Sequence, residues 1–406
     1  MKIGITCYPT YGGSGAVATE LGLELARRGH EVHFVSYAQP FRLTTFHPGI
    51  FFHEVEMMPY PLFEYPPYSL ALAVSLHGVT VEHDLDLLHV HYAVPHATSA
   101  WVAREMLRAD GRDVRIITTL HGTDITLVGQ DASFRPITRF SIERSDGLTA
   151  VSEHLKARTT ETFGCEGRRI RVIPNFVDPE TYDRASTDCH RKDLADPGEK
   201  IVMHISNFRR VKRIDDVVKI FARIAERVPS RLVLIGDGPE RGLAARTAEE
   251  EGVGERTTFL GKLESVAPLL ACADLFLLPS EEESFGLVAL EAQASGVPVV
   301  GSAGSGLEEV LEPGVTGWLH PVGDVESMAS SGARVLADGD LWRATSAASR
   351  ERAVTRFSAE RVVPEYEAYY REVVGDAAHR LAAASGTAPA SGDGAPGDAA
   401  PQGDGA

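Results

Sequence analysis

Short apolar runs alternate with longer one-sided amphipathic stretches, lapse after about residue 172, and then alternate again. That rhythm constrains the fold more than any single motif. A short apolar run bounded by turn residues reads as a buried strand, and an amphipathic stretch as a helix lying on it. In the first half, strands are expected at 3–7, 31–36, 87–90, 115–120, 147–151 and 170–173. Helices are expected between them at 16–28, 68–81, 97–108, 136–144 and 153–163. Such alternation asks for a parallel sheet covered by helices on both faces, an α/β doubly wound domain. Residues 173–199 lose the period and fill with Pro, Asp and charge, so they read as a linker. The pattern restarts with strands at 201–206, 231–236, 257–260, 275–278 and 297–301, and helices at 213–227, 239–251, 285–294 and 325–336. Two Rossmann-like domains in tandem, 1–172 and 200–354, are therefore expected to face each other across a cleft. A last helix, 355–374, is expected to pack back onto the first domain, and the Ala/Gly/Pro/Asp-rich tail 376–406 to be disordered.

Composition excludes several partner classes. The chain has 406 residues, 43% apolar and 24% charged, with a net charge of −17. An acidic balance disfavours unspecific grip on nucleic acid or anionic lipid, so neither is an expected partner. No apolar run approaches the ~18 residues of a membrane span. The start, MKIGITCYPTYGG, breaks at Pro9 and lacks the long apolar core of a signal peptide. Cys7, Cys165, Cys189 and Cys272 are scattered without a CxxC, which argues against a disulfide framework or a zinc site and for a reducing cytoplasm.

Residues with chemistry gather at expected strand ends. Gly12, Gly13, Ser14 and Gly15 form a turn between a strand and a helix, where backbone amides can approach an anion. The spacing is not GxGxxG, and a plain tight turn is an equally good reading. Arg209, Arg210, Lys212 and Arg213 follow the first strand of the second domain. Cations at a helix start oppose the macrodipole, so a solvated helix end is the weaker reading and a diphosphate ligand the stronger. His121, Thr123 and Asp124 crowd one strand end, with His91 and Tyr92 at the next. His89 and His91 alternate on one strand face, but no carboxylate or cysteine stands at ligand spacing, so no metal site is expected there. The Asp84–Asp86 pair reads as a turn rather than a metal-binding DxD.

In SEEESFGLVALEA, Glu283 precedes a helix and Glu291 lies within it, with the amides of Phe285, Gly286 and Leu287 at the helix start. A carboxylate can accept both hydrogens of a vicinal diol, and a helix start attracts phosphate. Paired carboxylates also suit a glycoside hydrolase, but a hydrolase has no need of the cationic cluster.

Taken in order, the GGSG loop, HGTD, IPNFVD, the cationic cluster, GDGPE and ESFGLVALEA resemble the retaining glycosyltransferases of family four, which have the GT-B fold. The resemblance runs from Lys2 to about Val374. Within the family, CYPTYGGSG, HVHYAVPHA, TTLHGTDITLVG, SDGLTAVSEHL and HISNFRRVKR resemble the subgroup that transfers GlcNAc from UDP-GlcNAc to L-malate in bacillithiol biosynthesis. The resemblance implies retention at the anomeric carbon, no metal and no other cofactor. It implies that Lys212, with Arg209 or Arg210, neutralises the leaving diphosphate, and that His121 meets the donor sugar. It implies donor contacts from Gly13, Ser14, Gly15, Asn207, Glu283, Phe285, Gly286 and Leu287, with Glu291 on the ribose. Tyr92, Thr123, Arg144 and Asn175 are expected at the acceptor, Arg144 because a dicarboxylate suits a forked cation. Many relatives carry Gly-Arg where this chain has Ser206-Asn207, a form the malate subgroup shares.

Competing readings are a family-four enzyme with an inositol-phosphate or lipid acceptor, a UDP-sugar epimerase, and a noncatalytic sugar-nucleotide sensor. The stretch 59–78 is apolar but lacks cations, which tells against docking on an anionic membrane. The partners expected are small-molecule substrates, with a homodimer left open.

Overall fold

The computed structural model describes residues 1–10, 12–58, 65–126, 128–165, 169–187 and 189–384, with side chains to 375. In the first half the strands are β1 (Lys2–Thr6), β2 (Glu31–Ser36), β3 (Ile50–Glu54), β4 (Leu87–His91), β5 (Arg115–Leu120), β6 (Gly147–Ala150) and β7 (Ile170–Val172). They form one parallel sheet in the order β3-β2-β1-β4-β5-β6-β7. In the second half β8 (Lys200–Ile205), β9 (Ser230–Ile235), β10 (Thr257–Gly261), β11 (Leu275–Leu278), β12 (Val299–Ser302) and β13 (Gly317–His320) form another, in the order β10-β9-β8-β11-β12-β13. Every strand pair in both is parallel. This is the expected pair of Rossmann-like units.

The strand order reverses beside β1 in one sheet and beside β8 in the other, which opens a crevice at the carboxyl ends of the strands. Those ends carry the GGSG turn, the 92–97 segment, the cationic segment and the ESFG loop. Both faces of each sheet are buried. Helices α1 (Gly13–Arg27) and α2 (Tyr68–His83) lie over β1 and β2, with Leu21 and Leu25 of α1 and Leu72 and Leu76 of α2 fully buried. Fully burying one such side chain contributes about 1.5–3 kcal/mol.

Among the described residues, two strands, one long helix and several one-turn helices were not expected. β3 is an edge strand, only partly buried, and its alternation is blurred by Phe51 and Phe52 in succession. β13 is the edge strand of the second sheet, and three of its four residues are only partly buried. The helix Gly339–Phe357 is mostly polar along its length, and the Asp338 side chain caps it by accepting from Asp340 N and Leu341 N at 3.0 Å.

The last helix, Ala359–Ala384, buries Val362, Val363, Tyr366 and Tyr370 against the first sheet with Ile3, Ile5 and Ile117. Tyr370 Oη and His89 Nδ1 are 2.7 Å apart, and Leu148 N donates to Tyr369 Oη at 2.9 Å. The backbone of this helix runs on to Ala384, past the start of the Ala/Gly/Pro/Asp-rich stretch. Residues 385–406 lie outside the described residues, as do 59–64 of the apolar 59–78 stretch.

The aperiodic segment 173–199 is closely held rather than loose. Val177 N donates to Phe357 O and Ala359 N to Val177 O, so the chain's two crossings between domains are bonded side by side. Arg191 reaches Cys272 O and the Asp274 carboxylate. Cys189 is disulfide-bonded to Cys272, a pairing the scattered spacing did not suggest, while Cys7 and Cys165 are buried. Among the described residues no helix is long and apolar enough to cross a membrane.

Candidate active site

The two sets of strand ends enclose an open cleft of about 180 Å³, lined by Gly12, Gly13, Asn207, Lys212, Glu283, Leu287 and Glu291 among others. The GGSG turn can approach it because of its glycines. A Cβ at Gly15 would stand 2.7 Å from Tyr8 O, so only glycine lets the chain fold back there. Gly13 faces Leu287 across the cleft. The facing loops also touch at Gly122, whose φ is +119° and whose added Cβ would stand 1.7 Å from Ser284 Oγ.

The cationic quartet divides. After β8, residues Arg210–Lys212 make a 3-10 turn and the helix Ile214–Ala225 begins. Lys212 turns into the cleft, its Nζ 2.6 Å from Glu283 Oε1. Arg213 turns away and binds Asp216 at 2.6 Å. Asp215 and Asp216 in the first helical turn supply the compensation that cations at a helix start require. The helix-end reading therefore holds for Arg213. Arg209 and Arg210 are exposed, and the Arg209 charge acts on Tyr92 in the opposite domain, pulling against the burial that raises the Tyr92 pKa.

Glu291 is buried and already engaged. Arg42 Nη2 lies 3.0 Å from its Oε1, and Tyr182 Oη donates to the same oxygen at 2.7 Å. Arg42 also reaches Glu20 at 3.4 Å. Burial pulls the Arg42 pKa down, but Glu291, Tyr182 and Glu20 outweigh it and hold the guanidinium charged. Burial raises the pKa of Glu20, against the pull of Arg42. Neither Arg42 nor Tyr182 was singled out from the sequence. Arg42 stands in an aperiodic loop after β2, and Tyr182 in the segment read as linker.

At the ends of β4 and β5, His91 Nδ1 and His121 Nε2 are 2.8 Å apart and their rings stack. Burial holds the imidazoles neutral: His121 is pushed down to about 3, His96 to about 4, and His91 well below the usual value. His121 is thus a neutral hydrogen-bonding group at pH 7, and which nitrogen it offers depends on the proton shared with His91. Asp124 accepts from Ala93 N, Gly122 N and His121 N at 3.1, 3.0 and 3.3 Å, which fixes the HGTD loop. Burial raises its pKa to about 6 against those bonds. Thr123 Oγ1 donates to Tyr92 Oη at 3.1 Å, and Ser14 also bonds Tyr92.

The remaining expected residues scatter. Asn175 follows β7 at the same strand edge, with its Oδ1 buried and unbonded among the described residues. The Phe285 ring is core, packed edge-on to Phe357, so only its backbone can serve the cleft. Gly286 starts the helix Leu287–Ala294 with φ +94°. Arg144 is the correction. It ends the helix Arg135–Arg144, exposed, with its guanidinium over Phe140. Its carbonyl accepts from Arg104, and two residues later Asp146 binds Ile116 N at the start of β5. That is the amino-terminal edge of the sheet, opposite the cleft, because a helix following a strand runs back to where the next strand starts.

Two facing parallel-sheet domains with a cationic, diol-competent cleft at their strand ends define a GT-B glycosyltransferase. Sucrose-phosphate synthase from Thermosynechococcus elongatus superimposes with TM-score 0.75 at 23% identity, over 92% of this chain and 99% of that one. Anabaena HepE in complex with UDP and glucose does so with TM-score 0.72 at 19% identity, over 94% and 99%; both likenesses bear on the fold alone. Family models described as Glycosyltransferase Family 4 and Glycosyl transferases group 1 match residues 11–181 and 186–352. The chain is 46% identical to N-acetyl-alpha-D-glucosaminyl L-malate synthase of Bacillus anthracis over 93% of its length and 98% of the relative's. It is 29% identical to D-inositol 3-phosphate glycosyltransferase of Mycobacterium sp. (strain KMS), over 79% and 78%. The chain belongs to the family-four glycosyltransferases.

Proposed function

We propose that this chain transfers GlcNAc from UDP-GlcNAc to the hydroxyl of L-malate, with retention at the anomeric carbon and without a catalytic metal, in the first step of bacillithiol biosynthesis. The observation that carries this reading is the near full-length similarity to the Bacillus anthracis malate synthase, well above that to the inositol-phosphate enzymes.

The cleft supplies the parts such a transfer needs. As the bond from the anomeric carbon to the diphosphate oxygen breaks, its electron pair goes to that oxygen. Lys212 is the cation placed to stabilise the growing charge, with the GGSG amides beside it. In the free protein Glu283 holds Lys212 in position, and it becomes available for sugar hydroxyls when the ammonium turns to phosphate. The malate hydroxyl attacks the face the diphosphate leaves, and its proton passes to the departing phosphate oxygen. Glu291, oriented by Arg42 and Tyr182, keeps an oxygen for a ribose diol. Tyr92, Thr123 and Ser14 gather at the acceptor end, and Arg209, rather than Arg144, is the guanidinium near them. The reaction is expected in the cytoplasm.

Incubation with UDP-GlcNAc, with and without L-malate, tests the reading. UDP release that requires malate, is insensitive to EDTA and gives an α-linked product by NMR supports it. Release that requires inositol 3-phosphate instead moves the chain to the other subgroup, isomer formation without malate makes it an epimerase, and no turnover makes it a sensor.

A further inference from the structure

The first domain holds a second cluster of chemistry-bearing side chains, at the opposite edge of its sheet from the cleft. His33 lies on β2 and His53 on β3, in a register that pairs His33 with Phe51 and Val35 with His53. Residues two apart share a face of a strand, so His33, Phe51 and His53 point to one side. Helix α2 lies on β2, and His83 is its last residue. His33 Nδ1 and His53 Nε2 are 2.9 Å apart, and one nitrogen from each of the three imidazoles lies within 4.8 Å of the others. We infer that His33, His53 and His83 form a binding site for a late first-row divalent cation such as Zn²⁺, with Glu31 orienting His33.

Three features support the assignment. Zinc at ~2.0–2.1 Å from imidazole nitrogens holds them roughly 3.4 Å apart in a tetrahedron. The His33–His53 pair must open by a few tenths of an ångström and His83 must swing in, both side-chain adjustments. Glu31 Oε1 lies 2.9 Å from His33 Nε2, so that nitrogen carries the proton and Nδ1 keeps its lone pair toward the cluster. A carboxylate behind a ligating histidine is the usual orienting partner. Finally, His33 is buried while His53 and His83 are half-buried, so an ion has an entry path and room for a water in the fourth position. Glu31 and Glu82 supply negative charge here, and Lys2, bonded to His83 O at 2.9 Å, partly opposes it.

The competing account is packing alone, since His33 also stacks on Phe51 and His53. The two differ in stoichiometric metal binding. The site joins edge strand β3 to the end of α2 and lies away from the transfer chemistry, so its effect is on stability.

The test is calorimetric titration of tag-free, metal-stripped full-length protein with ZnCl₂. One equivalent should bind, and Co²⁺ substitution should give the visible band of a tetrahedral site. His53→Gln and His83→Gln, both at half-buried positions, should each weaken binding by well over ~10-fold, and Glu31→Gln by roughly 10–100-fold. Zn²⁺ should raise the melting temperature of the wild type and not of His83→Gln, while transferase turnover stays unchanged in both. Failure of the wild type to bind one equivalent overturns the assignment. So does binding by His53→Gln and His83→Gln equal to wild type, which puts the metal elsewhere.

Discussion

Lys212 Nζ lies 2.6 Å from Glu283 Oε1, and both line the cleft between the domains. The pair joins the segment after β8 to the loop before the helix Leu287–Ala294, so a change at either residue alters what the cleft offers a diphosphate. Lys212→Ala should lower kcat at least ~100-fold, the scale of losing one preorganised charge-stabilising donor. Glu283→Gln keeps the cation and should lose less. Steady-state kinetics with UDP-GlcNAc and malate checks both, and near-wild-type kcat in Lys212→Ala would remove the leaving-group role.

Arg42 holds a buried carboxylate, and its loss should cost stability as well as substrate affinity. Glu291 is 2% exposed and shares one oxygen between Arg42 and Tyr182. Removing one partner of a buried pair costs about 3–5 kcal/mol, and less here because Arg42 keeps some solvent contact. Arg42→Ala should therefore lower the urea midpoint and raise the donor KM. Adding Glu291→Gln should return part of the stability and none of the affinity, a non-additivity that a double-mutant cycle measures.

The sequence pattern made the sheets legible because their central strands are buried on both faces and keep continuous apolar runs. β3 and β13 escaped because each is an edge strand half in water and has no such run. At the site, Lys212 and Glu283 were legible because each stands in the charged segment that follows a buried strand. Arg42 and Tyr182 lie in segments without period, where only the tertiary fold brings them to Glu291. Arg144 misled for a related reason. Its charge suited a dicarboxylate, but a helix after a strand carries its last residue to the opposite sheet edge, and charge type says nothing of that.

Buried neutral histidines should make the protein acid-sensitive before its carboxylates titrate. Burial lowers His89 and His121 to about 3 and His96 and His204 to about 4. A group with a depressed folded-state pKa contributes stability that is fully present above its unfolded pKa, here about 6.5, and lost as pH falls toward the folded value. At pH 5 the loss is on the order of 2 kcal/mol for each such group. Asp124 acts in the opposite sense. Its folded-state pKa is raised to about 6, so it favours the folded state on acidification and loses that contribution as pH rises through about 6. Glu20, also raised by burial, acts in the same sense, and the histidines outnumber the two. Urea unfolding should show stability dropping between pH 6.5 and 5, and a flat profile would mean these histidines reach water.

Gly122 should tolerate no side chain. Its φ of +119° is strained for any L-residue, and the Cβ it lacks would stand 1.7 Å from Ser284 Oγ. The HGTD loop and the ESFG loop can approach only because that atom is missing. Gly122→Ala must push them apart, which moves His121 relative to Glu283 and the start of the helix Leu287–Ala294. The backbone strain should cost about 1–3 kcal/mol. The misplacement should cost more in turnover, on the order of 10²-fold for a shift near 1 Å. Gly122→Ala combined with Ser284→Gly removes the hydroxyl and Cβ in the way but not the strained φ. Turnover should recover substantially in the double variant while the urea midpoint stays low, and equal recovery of both would mean the contact alone is what requires glycine.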